Sequence, residues 1–380
     1  MRRPNSGTPF RVSVIVLAVG AMVLVGSPAQ ALGWTTIASP SEVPGNNLLY
    51  GADSSDARNV WAVGVVYPPL GGSSHGLALR YDGTAWRSVP GTGLPGNDTL
   101  RGVDAVSAGD VWAVGEHRAG IGRYETLAVH WNGTRWTREP TPNGNPGSIN
   151  NVHGVAATGG TVWAVGTYVD LTSPINRRKL ILQRVDGNWR VSAAPTVAKY
   201  ESLAAVDATG PADVWAVGSA TTDINSAPLR PLALRWNGTG WVSMTLPAPT
   251  GTALTGVDAR TPSDVWAVGS TSGAIPQPYV AHFDGTSWSR MATPAVAGGG
   301  ELTDVVALSP STVVAVGRSN GAPLILRWNG TAWIREATPA ISSNPFLTGA
   351  AAAGPGSVWA IGYRFEFNAY ANRTLTLLGG

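Results

Sequence analysis

The chain contains no cysteine, which excludes disulfides, thiol nucleophiles, cysteine metal sites and cysteine-linked cofactors, and leaves the fold to be held by packing alone. Charge is scarce as well. Lys, Arg, Asp and Glu make up 13% of 380 residues, and no long run of one sign occurs. The five histidines are scattered without ligand spacing, so no metal site is expected. No Gly-rich phosphate cradle leads from a strand into a helix, and no Gly-x-Ser-x-Gly nucleophile elbow is present.

Long apolar runs are limited to one, Val12 to Gly26. It follows Arg2, Arg3 and Arg11 and precedes the small-x-small sequence Ala29-Gln30-Ala31. That order predicts a secretion signal over residues 1–31, cleaved after Ala31, because the run is shorter than the ~20 residues that span a membrane. An uncleaved anchor is the alternative. Removing the segment takes three arginines and no acids, leaving 23 basic and 23 acidic residues. The mature protein is therefore expected to be neutral and extracellular, with no membrane span and no basic surface for nucleic acid.

Tryptophan is what the chain has instead: sixteen residues at recurring places. Six sit in a Val-Trp-Ala-(Val/Ile)-Gly motif: Trp61, Trp112, Trp163, Trp215, Trp266 and Trp359. A seventh copy carries Val314 in the same slot. Successive copies are 51, 51, 52, 51, 48 and 45 residues apart. Seven more tryptophans (34, 86, 136, 189, 241, 288 and 333) close a hairpin-like pattern, and Trp131, Trp236 and Trp328 precede an Asn-Gly; Tyr81, Val185 and Phe283 fill that last slot elsewhere. Several short strands at such a period point to a β-propeller.

One repeat reads as four strands, A to D. In the second repeat these are Leu100–Ala105, Val111–Gly115, Leu127–Trp131 and Thr134–Arg138. The C–D turn is Asp-Gly or Asn-Gly six times, at Asp82, Asn132, Asp186, Asn237, Asp284 and Asn329, a sequence that tolerates the positive φ of tight hairpins. The residue before each motif is Asn59, Asp110, Thr161, Asp213, Asp264, Thr312 or Ser357, expected to accept a backbone N–H and lock the A–B turn. Asp53, Asp104, Asp207 and Asp258 in strand A are assigned the same repeated structural duty. Arg80, His130, Arg184, Arg235, His282 and Arg327 share a strand C slot and are assigned to blade surfaces or inter-blade contacts.

The closing Trp appears seven times only if Trp34 is counted, and Thr374 to Leu378 reads as a strand C with no strand D after it. The expectation is an all-β, seven-bladed propeller of four antiparallel strands per blade, spanning 32–380, whose last blade is completed by the N-terminal strand.

Alternate connections of a meander share a face. The B–C and D–A loops are long and different in each blade, so any site is expected there. The top of strand A varies among Tyr50, Arg101, His153, Ala204, Thr255, Thr303 and Thr348. Tyr50, Arg101 and His153, in adjacent blades, head a candidate ligand-binding set that also includes His117, Arg123, Tyr124, Lys199, Tyr200 and Glu201. No catalytic residues are assigned. Glu116, Glu125, Glu201 and Glu301 are available for the acid pair that glycoside hydrolysis needs, but nothing in the sequence pairs them.

The Val-Trp-Ala-Val-Gly and Arg-Trp-Asn-Gly-Thr-x-Trp patterns resemble those of uncharacterised propellers common among secreted bacterial proteins, and the tectonin-type blade of propeller lectins. The C–D turn resembles the Asp-box of sialidase-like propellers, without the Ser-x-Asp-x-Gly-x-Thr-Trp order. The repeated Gly-Gly of kelch propellers is missing. These resemblances imply the blade framework. The function expected from all of this is a secreted, monomeric, non-enzymatic recognition module with no cofactor, binding a glycan or an extracellular protein. A polysaccharide-active hydrolase or lyase at the axial mouth and a structural scaffold are the alternatives.

Overall fold

A computed structural model of the chain describes residues 31–69, 71–89, 96–170, 176–225, 227–341 and 343–380. The expected secretion signal lies outside the described residues, save Ala31. From Ala31 onward the chain is a seven-bladed β-propeller, each blade an antiparallel A-B-C-D meander. The innermost A strands are Asn46–Asp56, Asp98–Ser107, Ile149–Thr158, Tyr200–Gly210, Thr252–Thr261, Glu301–Ser309 and Phe346–Gly354. In blades 1 to 6 the four strands follow one another in the chain. In blade 7 the outermost strand is Trp34–Ile37, paired antiparallel with Ala371–Gly379 from Trp34 opposite Gly379 to Ile37 opposite Thr376. A single parallel bridge between Tyr124 and Ile149 links blades 2 and 3.

The hydrophobic cores lie between blades rather than within them. Seven clusters are buried, one at each junction. The motif Trp of one blade meets the strand D Trp of the next edge-to-face: Trp61 with Trp136, Trp112 with Trp189, Trp163 with Trp241, Trp215 with Trp288, Trp266 with Trp333 and Trp359 with Trp86. Their centroids are 5.1–6.0 Å apart and their planes cross at 72–87°. This is the arrangement the ring quadrupole favours. At the seventh junction Trp34 packs with Val306 and Val314. Thirteen indoles are buried and three half-buried, so the tryptophans are structural, as their periodicity suggests.

Each motif ends in glycine because strand A bulges opposite it. The register slips in all seven blades, between Leu49 and Gly51 in blade 1 and at the equivalent pair elsewhere. The bulge pushes a carbonyl toward the motif glycine. A Cβ on Gly64, Gly115, Gly166, Gly218, Gly269, Gly317 or Gly362 would lie 1.8–2.0 Å from that oxygen.

The turns depart from expectation in three ways. In five C–D turns only the glycine has positive φ, and the preceding Asp or Asn caps the turn with its side chain. Asn132 Oδ1, for example, accepts from the N–H of Thr134 and Arg135. Only Asp186-Gly187 has both residues at positive φ, and its tighter hairpin shifts strand C by one residue, setting Gln183 rather than Arg184 opposite Trp163. Arg184 instead crosses to Glu139 of blade 2 at 2.6 Å and lies over Trp112. Finally, Asn59, Asp110, Asp213 and Asp264 do not lock the A–B turn through a backbone N–H. Their side chains accept from Arg80, His130, Arg235 and His282 in strand C, the last three at 2.6–2.8 Å. The cation or imidazole then rests on the motif indole.

Two substitutions test this frame. Gly218→Ala drives a methyl into the Ser202 carbonyl and is expected to lower stability by about 2 kcal/mol or more, whereas Gly240→Ala, at a position with open space around it, leaves the melting temperature unchanged. Trp34→Ala removes the indole from the closing junction and is expected to cost about 3–5 kcal/mol in a denaturant melt; an unchanged midpoint would show that the N-terminal strand does not close the ring.

Candidate functional site

The residue left over at each bulge is the variable residue at the top of strand A: Tyr50, Arg101, His153, Ala204, Thr255, Thr303 and Thr348. A bulge re-aims the side chain it carries, and here all seven line one axial cavity of about 210 Å³. Three blades use the position to tie the ring: Thr255 Oγ1 donates to the Leu302 carbonyl, Thr303 to that of Leu347 and Thr348 to that of Leu49, each at 2.8–3.0 Å. His153 Nδ1 does the same to the Leu203 carbonyl at 2.8 Å. That bond places the proton on Nδ1 and leaves Nε2 as an acceptor. Burial, with the charges of Arg101 and Arg177, lowers the imidazole pKa and keeps it neutral.

Tyr50 and Arg101 make other contacts. The Arg101 guanidinium lies 5.2 Å from the Tyr50 ring centre and forks onto buried Glu116 at 2.6–3.0 Å. Burial raises the Glu116 pKa against the pull of that arginine. The Tyr50 hydroxyl pKa is pushed up by burial and by neighbouring Tyr67; Tyr363 lies close enough to act on it too. Tyr363 stacks on Phe346 at 5.4 Å, and the Arg318 guanidinium, paired with Glu301, lies 4.6 Å from the Phe346 ring centre. Further out on blade 7, Phe365, Phe367 and Tyr370 form an edge-to-face group whose outer rings are exposed. The mouth is thus aromatic and cationic across blades 6, 7, 1 and 2.

Below the mouth the channel is acidic. Asp53, Asp104, Asp207, Asp258 and Asp304 line it, and each accepts the backbone N–H of the next blade's strand A, from Ala105, Ala157, Ala259, Ala307 and Ala350 respectively, at 2.6–3.2 Å. The first four are therefore inter-blade ties facing the axis, not turn locks. Asp304 stands one position past the bulge residue, where most blades have glycine, and its part was not visible in the repeat. Burial raises all five pKa values, those of Asp53 and Asp304 to about 7, and repulsion from other aspartates of the ring adds to the rise for all but Asp207. Among the described residues no three His, Asp or Glu side chains converge as metal ligands.

The other candidates lie elsewhere. His117 pairs with buried Asp98 at 2.7 Å on the rim of blade 2, where Arg123 also pairs with Glu125. Tyr124 uses its backbone: its N–H reaches Ser148 and its carbonyl accepts from Asn150. Glu201 is buried against Lys179 at 2.7 Å, in a separate cleft between blades 3 and 4, and accepts from the N–H of Val197. Lys199 lies over the Tyr200 ring. Glu201 belongs to a set the sequence reading missed, a polar side chain three residues before the bulge that anchors the preceding D–A loop. Asn47 holds the Glu42 N–H, Asn150 holds that of Asn145, and Thr252 donates to the Pro249 carbonyl. The regular offset from Tyr50, His153, Ala204 and Thr255 was the available signal. All four candidate glutamates are paired with a cation: Glu116, Glu125, Glu201 and Glu301.

No family model and no curated protein matches the chain. Among solved structures it is similar to YCF48 bound to D1 peptide (14% identity over 91% of this chain and 96% of that one, TM-score 0.55). It is similar too to a protein of unknown function from Dyadobacter fermentans (12%, 92% and 98%, TM-score 0.52). A third is the six-bladed fucose-recognising lectin of Aleuria aurantia (12%, 77% and 95%, TM-score 0.50). At these identities the likeness is one of fold, the β-propeller.

The carboxyl ring makes stability pH-dependent. The folded state holds protons on Asp53 and Asp304 up to about pH 7, whereas the unfolded chain releases them near pH 4. Their contribution is complete below the unfolded pKa and is lost as pH rises through about 7. The melting temperature is expected to fall between pH 5.5 and pH 8. Asp53→Asn, whose amide oxygen still accepts the Ala105 N–H, should flatten that slope; an equal slope in the variant would clear the ring of responsibility.

Proposed function

We propose that the protein is a secreted, non-enzymatic recognition module whose ligand, a glycan or an extracellular protein, binds at the axial mouth of the propeller. One observation carries this: the bulges of blades 1 to 3 deliver Tyr50, Arg101 and His153 to one cavity, beside Tyr67, Tyr363, Phe346 and Arg318. Tyrosine and arginine supply large amphipathic contact area and dominate binding hot spots. A rigid ring of blades presents them already in place, so little ordering is required on binding.

The acids near the mouth favour binding over hydrolysis. Glu116 and Glu301 are each held by an arginine, and the five channel aspartates are each engaged by a backbone N–H of the next blade, whereas the retaining or inverting chemistry of glycosidases needs one carboxyl free to donate a proton and another to attack or activate water. Propellers of this general fold serve both kinds of partner: YCF48 binds the D1 peptide and the Aleuria lectin recognises fucose.

A glycan array and a pull-down from secreted and cell-surface proteins are expected to yield a ligand. Tyr363→Ala or Tyr67→Ala should weaken its binding about tenfold or more at unchanged melting temperature. Turnover of a glycoside or uronic polymer that disappears in Glu201→Gln or His153→Ala would instead establish an enzyme.

A further inference from the structure

Resting on the reading of the mouth as a binding site, we infer that the ligand enters end-on, inserting one terminal, uncharged sugar ring into the axial cavity while the next ring lies on the aromatic rim. Size comes first. The cavity is about 210 Å³, below the roughly 300 Å³ at which pockets for drug-sized ligands begin. It has room for one hydroxylated ring and not for a chain passing through.

Charge is layered. The outer tier carries Arg101 and Arg318, with Arg177 close enough to act on His153. The inner tier carries the five aspartates and the unprotonated Nε2 of His153. An anionic tip that satisfies the arginines must then face the Nε2 lone pair of His153 and any aspartate that has lost its proton. A cationic tip must first pass the arginines and then meets carboxyls on which burial favours the proton, so little of its charge is repaid. An apolar tip would strip water from the aspartates and from His153 without replacing their hydrogen bonds. A neutral ring bearing hydroxyls both donates and accepts, so it satisfies both tiers. Its apolar face has partners as well: the rings of Tyr50 and Tyr363, and the Tyr67 ring beside them.

Ala204 supplies the test. It lines the cavity at the bulge position of blade 4, where the junction to blade 5 is already held by Asp207 on the Ala259 N–H, so a larger side chain fills the cavity without breaking a tie. Binding of methyl glycosides of glucose, galactose, mannose, rhamnose and N-acetylglucosamine would be measured by saturation-transfer NMR. Methyl glucuronoside and methyl glucosaminide serve as charged probes, and oligomers of the same sugars as chains. At least one neutral glycoside should bind, and Ala204→Phe should weaken it about tenfold or more with the melting temperature retained; Ala204→Leu is the milder plug if Phe disturbs folding. Binding that survives both plugs but is lost in Tyr363→Ala keeps the mouth as a binding face and overturns end-on insertion. So does a preference for a charged probe, or binding by oligomers alone. If no sugar binds and the protein pull-down returns a partner sensitive to Tyr363→Ala, recognition stands and the sugar inference falls.

Discussion

The close approach of each motif glycine to a bulged strand A is the constraint on which the rest of the molecule depends. A hydrogen at Gly64 or Gly218 fits against the opposing carbonyl and a methyl does not. With that fit in place, strand A can carry one extra residue near its top, and the extra residue turns toward the axis. The same local event, repeated seven times, explains why glycine closes every motif. It also explains why the residues of strand A that vary most between blades share one cavity.

The ring is then held by two kinds of junction contact. Indole against indole excludes water between blades, and a side chain from one strand A bonds the backbone of the next. The second kind is distributed unevenly yet completely. Aspartates span junctions 1–2, 2–3 and 4–5; aspartate and threonine together span 5–6 and 6–7. Blade 3 has Ala156 where its neighbours have aspartate, and there His153 makes the link. Blade 7 has Ala351, and there Thr348 and Ser54 do, the latter on the Ala352 carbonyl. A substitution that removes one tie has been met by another at the same junction, as expected when a buried backbone group must not be left without a partner.

Blade count, strand order and the shared last blade were legible because they follow from tryptophan spacing and from a strand C with no strand D. The indole packing was legible for the same reason. The bulge was not, since its only mark is a glycine that any tight turn could also use. Missing the bulge hid the direction of the strand A side chains, and so Asp53 and its equivalents read as turn residues when they face the axis. Arg184 was misplaced because Asp186-Gly187 looks like its five counterparts but makes a tighter hairpin, a difference that resides in backbone angles. Of the candidate site residues, Tyr50, Arg101 and His153 share the mouth because they share the bulge position. His117, Arg123, Tyr124, Lys199, Tyr200 and Glu201 were chosen as polar residues in or beside variable loops, and most are engaged in fixing those loops or the blade rims.

Which bulge residues are available to a ligand follows from which junctions are otherwise secured. Thr255, Thr303 and Thr348 have their hydroxyls bound to a neighbouring carbonyl. Tyr50, Arg101 and Ala204 make no such bond to the next blade, and each stands above an aspartate, Asp53, Asp104 or Asp207, that already holds its junction. These positions are released from tying the next blade, and two of the three carry large polar side chains. His153 serves both ends, tying blade 3 to blade 4 through Nδ1 and offering Nε2 to the cavity. A framework that needed only symmetry would have left small residues at all seven positions. The departure from symmetry is confined to blades 1 to 3, where the ring can tolerate it, and the proposed recognition role would draw on the Tyr50–Arg101–His153 side of the mouth, next to the tyrosines and Phe346 that blades 1 and 7 add to the rim.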